Sequence, residues 1–356
     1  MRNFTQISLL FLASSLLTTC RNDATKFIIP KFSNNYEMKG DSIMTIPGCF
    51  FIHQFDTVLL FEKIYSKDNR FICYNSGSLK KLGSFGMKGR GPGEYINAFV
   101  LDAWDNENSN LYFWILDATQ KQLKQVNLGK ALVNQNDDSI IKNKTPIPYS
   151  AGYVFNAFIL NSDSIIFLSQ THLSRYLTYL TKNNQISLSP SYPRLKYVKD
   201  NDLHLSFCTL TRSKSILVSA MRFFDRIDFI NLKTGFPAKT IISQDYKKTK
   251  LLDIKSLDDL KINYFVDIKQ YGDLIIILRH KQLISDQFKN RIPVEIWIFD
   301  EKANPIARIK INEYISSFVC DVEKNIIFGL DPINEVLYKY DISFLPDQLI
   351  RNHINK

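Results

Sequence analysis

His53, His204, Asp102, Asp267 and Asp321 are the residues whose type and placement suit metal binding or acid–base chemistry. Each falls in or at the edge of an apolar, strand-like run. A zinc site needs three or four such ligands converging in space, and a calcium-dependent, lactonase-like site would draw on the carboxylates. Three or more of the five converging within coordination distance would therefore mark a metal centre. The competing reading of the aspartates is that of ordinary strand-end turn residues. His172, His280 and His353 complete the histidines, and no pair has the HxH or HxxxH spacing of local ligands. A GxSxG nucleophile elbow does not occur. Asp225 and Asp228, flanking Arg226, read as a solvated charge alternation, and Trp104, Trp114 and Trp297 read as core. No catalytic residue or resident metal is assigned from these groups.

The densest local signature is Leu82-Gly-Ser-Phe-Gly-Met-Lys-Gly-Arg-Gly-Pro-Gly-Glu-Tyr95. Its glycines permit positive φ and close backbone approach, and Pro92 fixes one φ among them. A P-loop requires GxxxxGK[ST], and a dinucleotide loop requires a following helix. Neither condition is met, because Ile96-Asn-Ala-Phe-Val-Leu-Asp102 continues as a strand. The loop reads as a structural crossover.

These residues are carried by a repeat. A polar turn opens into an apolar strand at Val58, Leu111, Ile165, Ile216, Leu274 and Ile326, with gaps of 53, 54, 51, 58 and 52 residues. Such a period marks stacked supersecondary units, and units of four short strands predict an all-β, six-bladed β-propeller. Inner strands are expected at Cys49–Gln54, Ile96–Trp104, Val154–Leu160, Leu205–Leu210, Tyr264–Gln270 and Ile315–Asp321. The last unit lacks a fourth strand. Ser42–Ile46 or Lys26–Ile29 is expected to supply it and close the ring, which removes exposed edges. Residues 131–150 and 244–261 read as excursions between blades, the second with a helix from Ser256 to Leu260. Residues 26–356 thus form one domain.

Residues 1–19 have the build of an export signal: Arg2, then an apolar run from Ile7 to Leu17 too short to span a bilayer. Leu17-Thr18-Thr19-Cys20 resembles a bacterial lipobox, with Thr19 where a smaller residue is usual. The resemblance implies an acylated Cys20, the one modification expected, with residues 20–25 as a polar tether. Cys49, Cys73, Cys208 and Cys320 lie in apolar strands at no metal-like spacing and read as buried small hydrophobes. The formal charge is +10, or +9 without Arg2. The lysines are scattered, and the basic spots at Lys247, Lys248, Lys250 and at Arg194, Lys196, Lys199 lack the aromatic interleaving of a nucleic-acid surface.

FGxKGxGPGEY followed by an apolar strand is similar to the inter-blade motif of NHL-type repeats. More closely, Cys49–Asp102 resembles the TolB-like six-bladed propeller lipoproteins of Bacteroidetes. Gly86, Gly89, Arg90, Gly91, Pro92, Gly93 and Glu94 carry that likeness, and Leu116-Asp117 with Gln122–Val126 resembles an NHL blade's third-strand entry. Four Asp-[Ser/Thr]-apolar sites, at Asp41, Asp56, Asp138 and Asp163, resemble O-glycosylation sequons of exported proteins of that phylum. The family implies a periplasmic or surface-tethered propeller and supplies no catalytic residues; the protein is expected to be a monomer anchored by lipid to the outer membrane, facing the periplasm or the cell surface. A charged pair of Arg90 with Glu94 is expected to pin the loop. The expected role is a non-catalytic scaffold for an envelope protein or glycan; the alternative is a lactonase- or lyase-like enzyme with a channel metal.

Overall fold

The computed structural model describes residues 26–66, 68–91, 93–134, 137–169, 175–189, 205–243, 262–286, 292–321 and 324–343. Expectations on Cys20 and its flanks, Pro92, His172, His204, His353, the 256–260 helix and the two basic spots lie outside them.

Six sheets, each built on an antiparallel meander, follow one another as the blades of a propeller. Blade 1 is β4 (Phe51–Phe55), β5 (Val58–Glu62), β6 (Phe71–Asn75) and β7 (Lys81–Phe85). A two-stranded parallel clip, β8 (Met87–Lys88) and β9 (Glu94–Tyr95), leads to blade 2. Blade 2 is β10 (Ala98–Glu107), β11 (Asn110–Asp117), β12 (Gln122–Asn127) and β13 (Ile141–Pro146), with helix α1 (Leu128–Val133) before the last. Blade 3 is β14 (Val154–Asn161), β15 (Ser164–Ser169), β16 (Leu177–Leu180) and β17 (Gln185–Leu188). Blade 4 contains β18 (Ser206–Leu210), β19 (Ile216–Met221), β20 (Arg226–Asn231) and β21 (Pro237–Ile242). Blade 5 contains β22 (Ile262–Tyr271), β23 (Leu274–Leu283), β24 (Val294–Asp300) and β25 (Pro305–Ile311), and blade 6 contains β26 (Ser317–Asp321), β27 (Ile326–Asp331) and β28 (Val336–Asp341).

Each second strand begins within one residue of its expected onset. These strands are nearly all apolar because neighbouring blades cover both faces; every residue of β5 is buried. Turn residues Asp56, Gly272 and Asn325 take the left-handed conformation that tight hairpins demand. Segment 131–150 is more than an excursion: it contains β13, the outer strand of blade 2. Its Lys-rich sequence hides the strand because an outer strand buries little of either face.

The ring closes through the N-terminal segment, which runs along the outside of three blades. β1 (Lys26–Ile28) adds in parallel to β21 of blade 4, and β2 (Asn34–Met38) adds in parallel to β25 of blade 5. β3 (Asp41–Thr45) pairs antiparallel with β28 and completes blade 6. Of the two closing segments expected, 42–46 takes that place; Lys26–Ile28 sits two blades away. The buried apolar clusters repeat the same plan, one at each junction. Leu60 and Phe85 meet Phe113 between blades 1 and 2, and Leu116 meets Phe167 between blades 2 and 3. Leu168 meets Leu217, Val218 meets Ile275, and Ile296 meets Phe318 at the next three junctions. Phe61 meets Phe328 and Leu337 between blades 6 and 1.

The two faces differ. Where inner strands end, hairpins are short apart from the α1 connection; where they begin, connections such as 63–70, 86–97 and 147–153 are longer. Among the described residues, no helix is long and apolar enough to cross a membrane.

Candidate functional site

The inner strands bring charged side chains to the axis. On β10 the pairing register breaks between Val100 and Trp104, and this bulge carries Asp102. From the facing blade 5, β22 presents Asp267 and Lys269, two residues apart and so on one face. Lys269 Nζ lies 2.9 Å from Asp102 Oδ2 and 3.7 Å from Asp267 Oδ1. Blades 2 and 5 stand opposite in the ring, so the ammonium forms a strut across the channel.

The strut is tied in on both sides. His53 Nδ1 of β4 lies 3.1 Å from Asp102 Oδ1, and His53 Nε2 is 3.9 Å from Glu62 Oε2. Glu62 is held by Arg70 at 3.0 Å, and Arg70 also donates to the Ala98 carbonyl at 2.6 Å. Asp267 accepts from Ser317 Oγ (3.1 Å) and the Phe318 N–H (3.0 Å) on blade 6. Ser317 Oγ in turn accepts from the Ile52 N–H of blade 1 at 3.3 Å. Blades 1, 2, 5 and 6 are thus joined in a closed polar circuit.

Burial opposes the charge on Asp102, yet Lys269 and then His53 outweigh it and hold the carboxyl below the usual carboxylate range. Burial pushes Asp267 up, offset in part by Lys269 and the Phe318 N–H. Lys269, despite burial, is raised above the ordinary lysine value by Asp102 and Asp267. Asp102 is 48% exposed although its partners come from opposite blades, so its free side faces the channel.

Three of the five sequence candidates, His53, Asp102 and Asp267, therefore come together, around an ammonium. Among the described residues no group of three or more His, Cys, Asp or Glu is placed to hold a metal. Asp321 stays apart as a turn residue, accepting from the Lys324 N–H and from Lys324 Nζ at 2.6 Å. His280 is buried with Nε2 2.7 Å from the Ile315 carbonyl, and burial lowers its pKa to about 4. It ties blade 5 to the approach of blade 6. Lys269 was missed because a lone lysine carries no motif; the signal was Asp-x-Lys alternation in an otherwise apolar strand.

Asp225 and Asp228 are not solvated. Both are buried. Asp228 pairs with Arg226 at 2.9 Å, with Arg175 of blade 3, and with Thr240 Oγ1 at 2.5 Å. Asp225 pairs with Arg279 of blade 5 at 2.6 Å. Neighbouring blades supply arginines that the local alternation does not reveal. Trp297 is core, but Trp104 is exposed beyond the β10 bulge. The four described cysteines are free.

The glycine-rich loop is filled by its own carboxylate. Glu94 Oε2 accepts from the Gly91 N–H at 2.7 Å, in place of the expected pair with Arg90. A Cβ on Gly89 would stand 2.0 Å from the same oxygen, and one on Gly86, at φ +89°, 2.6 Å from Phe71. The Glu94 carboxylate thus occupies the space beside these glycines. Lys124 Nζ reaches the Glu94 carbonyl (3.2 Å) and lies over the Tyr95 ring. Beside the loop, a cavity of about 240 Å³ is lined by Tyr65, Arg70, Gly86, Lys88 and Tyr95.

No protein-family model and no curated protein matches the chain. Solved structures do. A Bacteroides vulgatus member of the DUF4221 family aligns with TM-score 0.55 and 10% identity, over 85% of this chain and 98% of that one. A Bacteroides fragilis protein described as exported aligns with TM-score 0.52 and 12% identity, over 86% and 98%. Raptor of Chaetomium thermophilum aligns with TM-score 0.51 and 11% identity, over 88% of this chain and 29% of that one. At such identities the likeness is one of fold: an all-β, six-bladed propeller.

Proposed function

We propose that this protein is an exported, Cys20-acylated propeller of the TolB-like, NHL-like kind. It serves in the cell envelope as a binding scaffold for a protein or glycan. The observation that carries the reading is the Lys269 strut. Among the described residues, the charged cluster at the axis already holds a cation of its own, the Lys269 ammonium set between Asp102 and Asp267. The export signal, the lipobox-like Cys20 and the fold of the exported Bacteroides fragilis protein support the address.

Partner contact belongs to the face with longer connections, where Tyr65 and Tyr149 stand 82% and 89% exposed. Exposed tyrosines supply large amphipathic contact area at low entropic cost. Photo-crosslinkers at Tyr65 and Tyr149 should capture a discrete envelope partner, whereas one at Val133, on the opposite face, should not. Divalent-cation-dependent lactone hydrolysis that Asp102→Asn abolishes would overturn this reading in favour of a channel enzyme.

A further inference from the structure

The rim of blade 4 carries an aromatic and basic patch, and we infer that it rests on the bilayer leaflet that holds Cys20. The inference builds on the acylation reading. β1 is the outermost strand of blade 4, laid in parallel against β21 with Lys26 beside Lys239. On this strand Phe27 is 58% exposed, and in the turn before β21 Phe236 is 49% exposed. Lys26, Lys233 and Lys302 are exposed around them, and Lys239 reaches the Lys302 carbonyl. The acidic neighbours are engaged: Asp300 accepts from the Lys302 and Asn304 N–H groups, and Glu301 from that of Arg212. Aromatic side chains among lysines suit an interface with anionic headgroups.

Chain length commits the occupant. Six residue steps separate Cys20 from Lys26, and whatever their conformation they reach at most about 20 Å. Acyl chains on Cys20 therefore hold β1 close to the headgroups, and a single anchor is reinforced by a basic patch. Because the patch lies on the outer rim, the propeller axis runs along the membrane plane. The tyrosine-bearing face is left open to a partner alongside.

The test uses acylated protein purified from membranes and placed in vesicles of phosphatidylcholine with phosphatidylglycerol. Lysine acetylation rates are read by mass spectrometry, together with the acyl label on Cys20. Lys80 and Lys81, exposed on the opposite blade 1, are the internal reference. Lys26 and Lys233 should react about five-fold more slowly than Lys80 and Lys81. Phe27→Asp with Phe236→Asp, and separately Lys26→Glu with Lys233→Glu, should retain the acyl label; the first should abolish the difference, and the second should release the rim so that Lys239 reacts faster. Equal rates in labelled wild-type protein would overturn the inference and leave the anchor intact. So would protection that persists without vesicles, which would assign the patch to a second copy or another protein. Absence of the acyl label would overturn the anchor reading, and this inference with it.

Discussion

Lys269 decides what the channel is. In the wild type, Asp102 lies below the usual carboxylate range, so its stabilising contribution is present above about pH 4 and is lost as pH falls through the folded value. Lys269 lies above its ordinary value, so its contribution is present below about pH 10 and is lost as pH rises through the folded value. Asp267, raised by burial, works in the opposite sense to Asp102. Lys269→Met leaves two carboxylates without their cation. It should cost about 2–3 kcal/mol at pH 7, less than a fully buried pair because Asp102 faces the channel. The gap to wild type should narrow as pH falls towards 4, because protonation relieves the uncompensated carboxylates. Urea unfolding at pH 7, 5 and 4 reads both effects; a gap that widens towards acid pH would contradict the strut. The sequence announced His53, Asp102 and Asp267 as candidates, yet the residue that converts them from ligands to a strut has no signature of its own.

At the scale of the element, the clip from Gly86 to Tyr95 joins blade 1 to blade 2. Its glycines were legible as special positions; the reason at each was not. Gly86 combines φ +89° with a Phe71 ring 2.6 Å from any added Cβ. Gly86→Ala should therefore cost about 2 kcal/mol, from left-handed strain and displacement of a packed ring. Gly48→Ala, at φ +69° with nothing within 4 Å, should cost less, since strain acts there alone. Equal urea midpoints for the two variants would refute the packing argument. Glu94 is the element's other lesson. A carboxylate near Arg90 suggests an ion pair, but the backbone N–H of Gly91, three positions before Glu94, takes it at 2.7 Å. The outer strands were least legible, as β13 illustrates, because strands that bury little carry weak alternation.

At the scale of the molecule, closure depends on β3. Just beyond it, the Ile46 N–H donates to the Glu335 carbonyl at 2.7 Å, and Ile46 is buried in the cluster between blades 6 and 1. Ile46→Pro removes this donor and part of the packing, at a cost of about 3 kcal/mol or more. Ile46→Val keeps the N–H and should cost about 1 kcal/mol. The proline variant should also open the edge of β28 and form dimers or larger species, visible by size-exclusion chromatography with light scattering. A monomeric Ile46→Pro protein with wild-type thermal stability would show that the ring does not depend on this closure.

The sequence by itself determined the period, the blade count and the second strands. Each of those depends on local alternation of apolar and polar residues, which a single strand already displays. It also determined that the last blade was a strand short. Only the tertiary structure decided which N-terminal segment closes blade 6, and that the two segments before it gird blades 4 and 5. It alone decided that Lys269 crosses the axis to Asp102, and that Arg175 and Arg279 neutralise aspartates of blade 4. These are contacts between residues tens to hundreds of positions apart. Their energies depend on distance and burial, which local sequence does not encode.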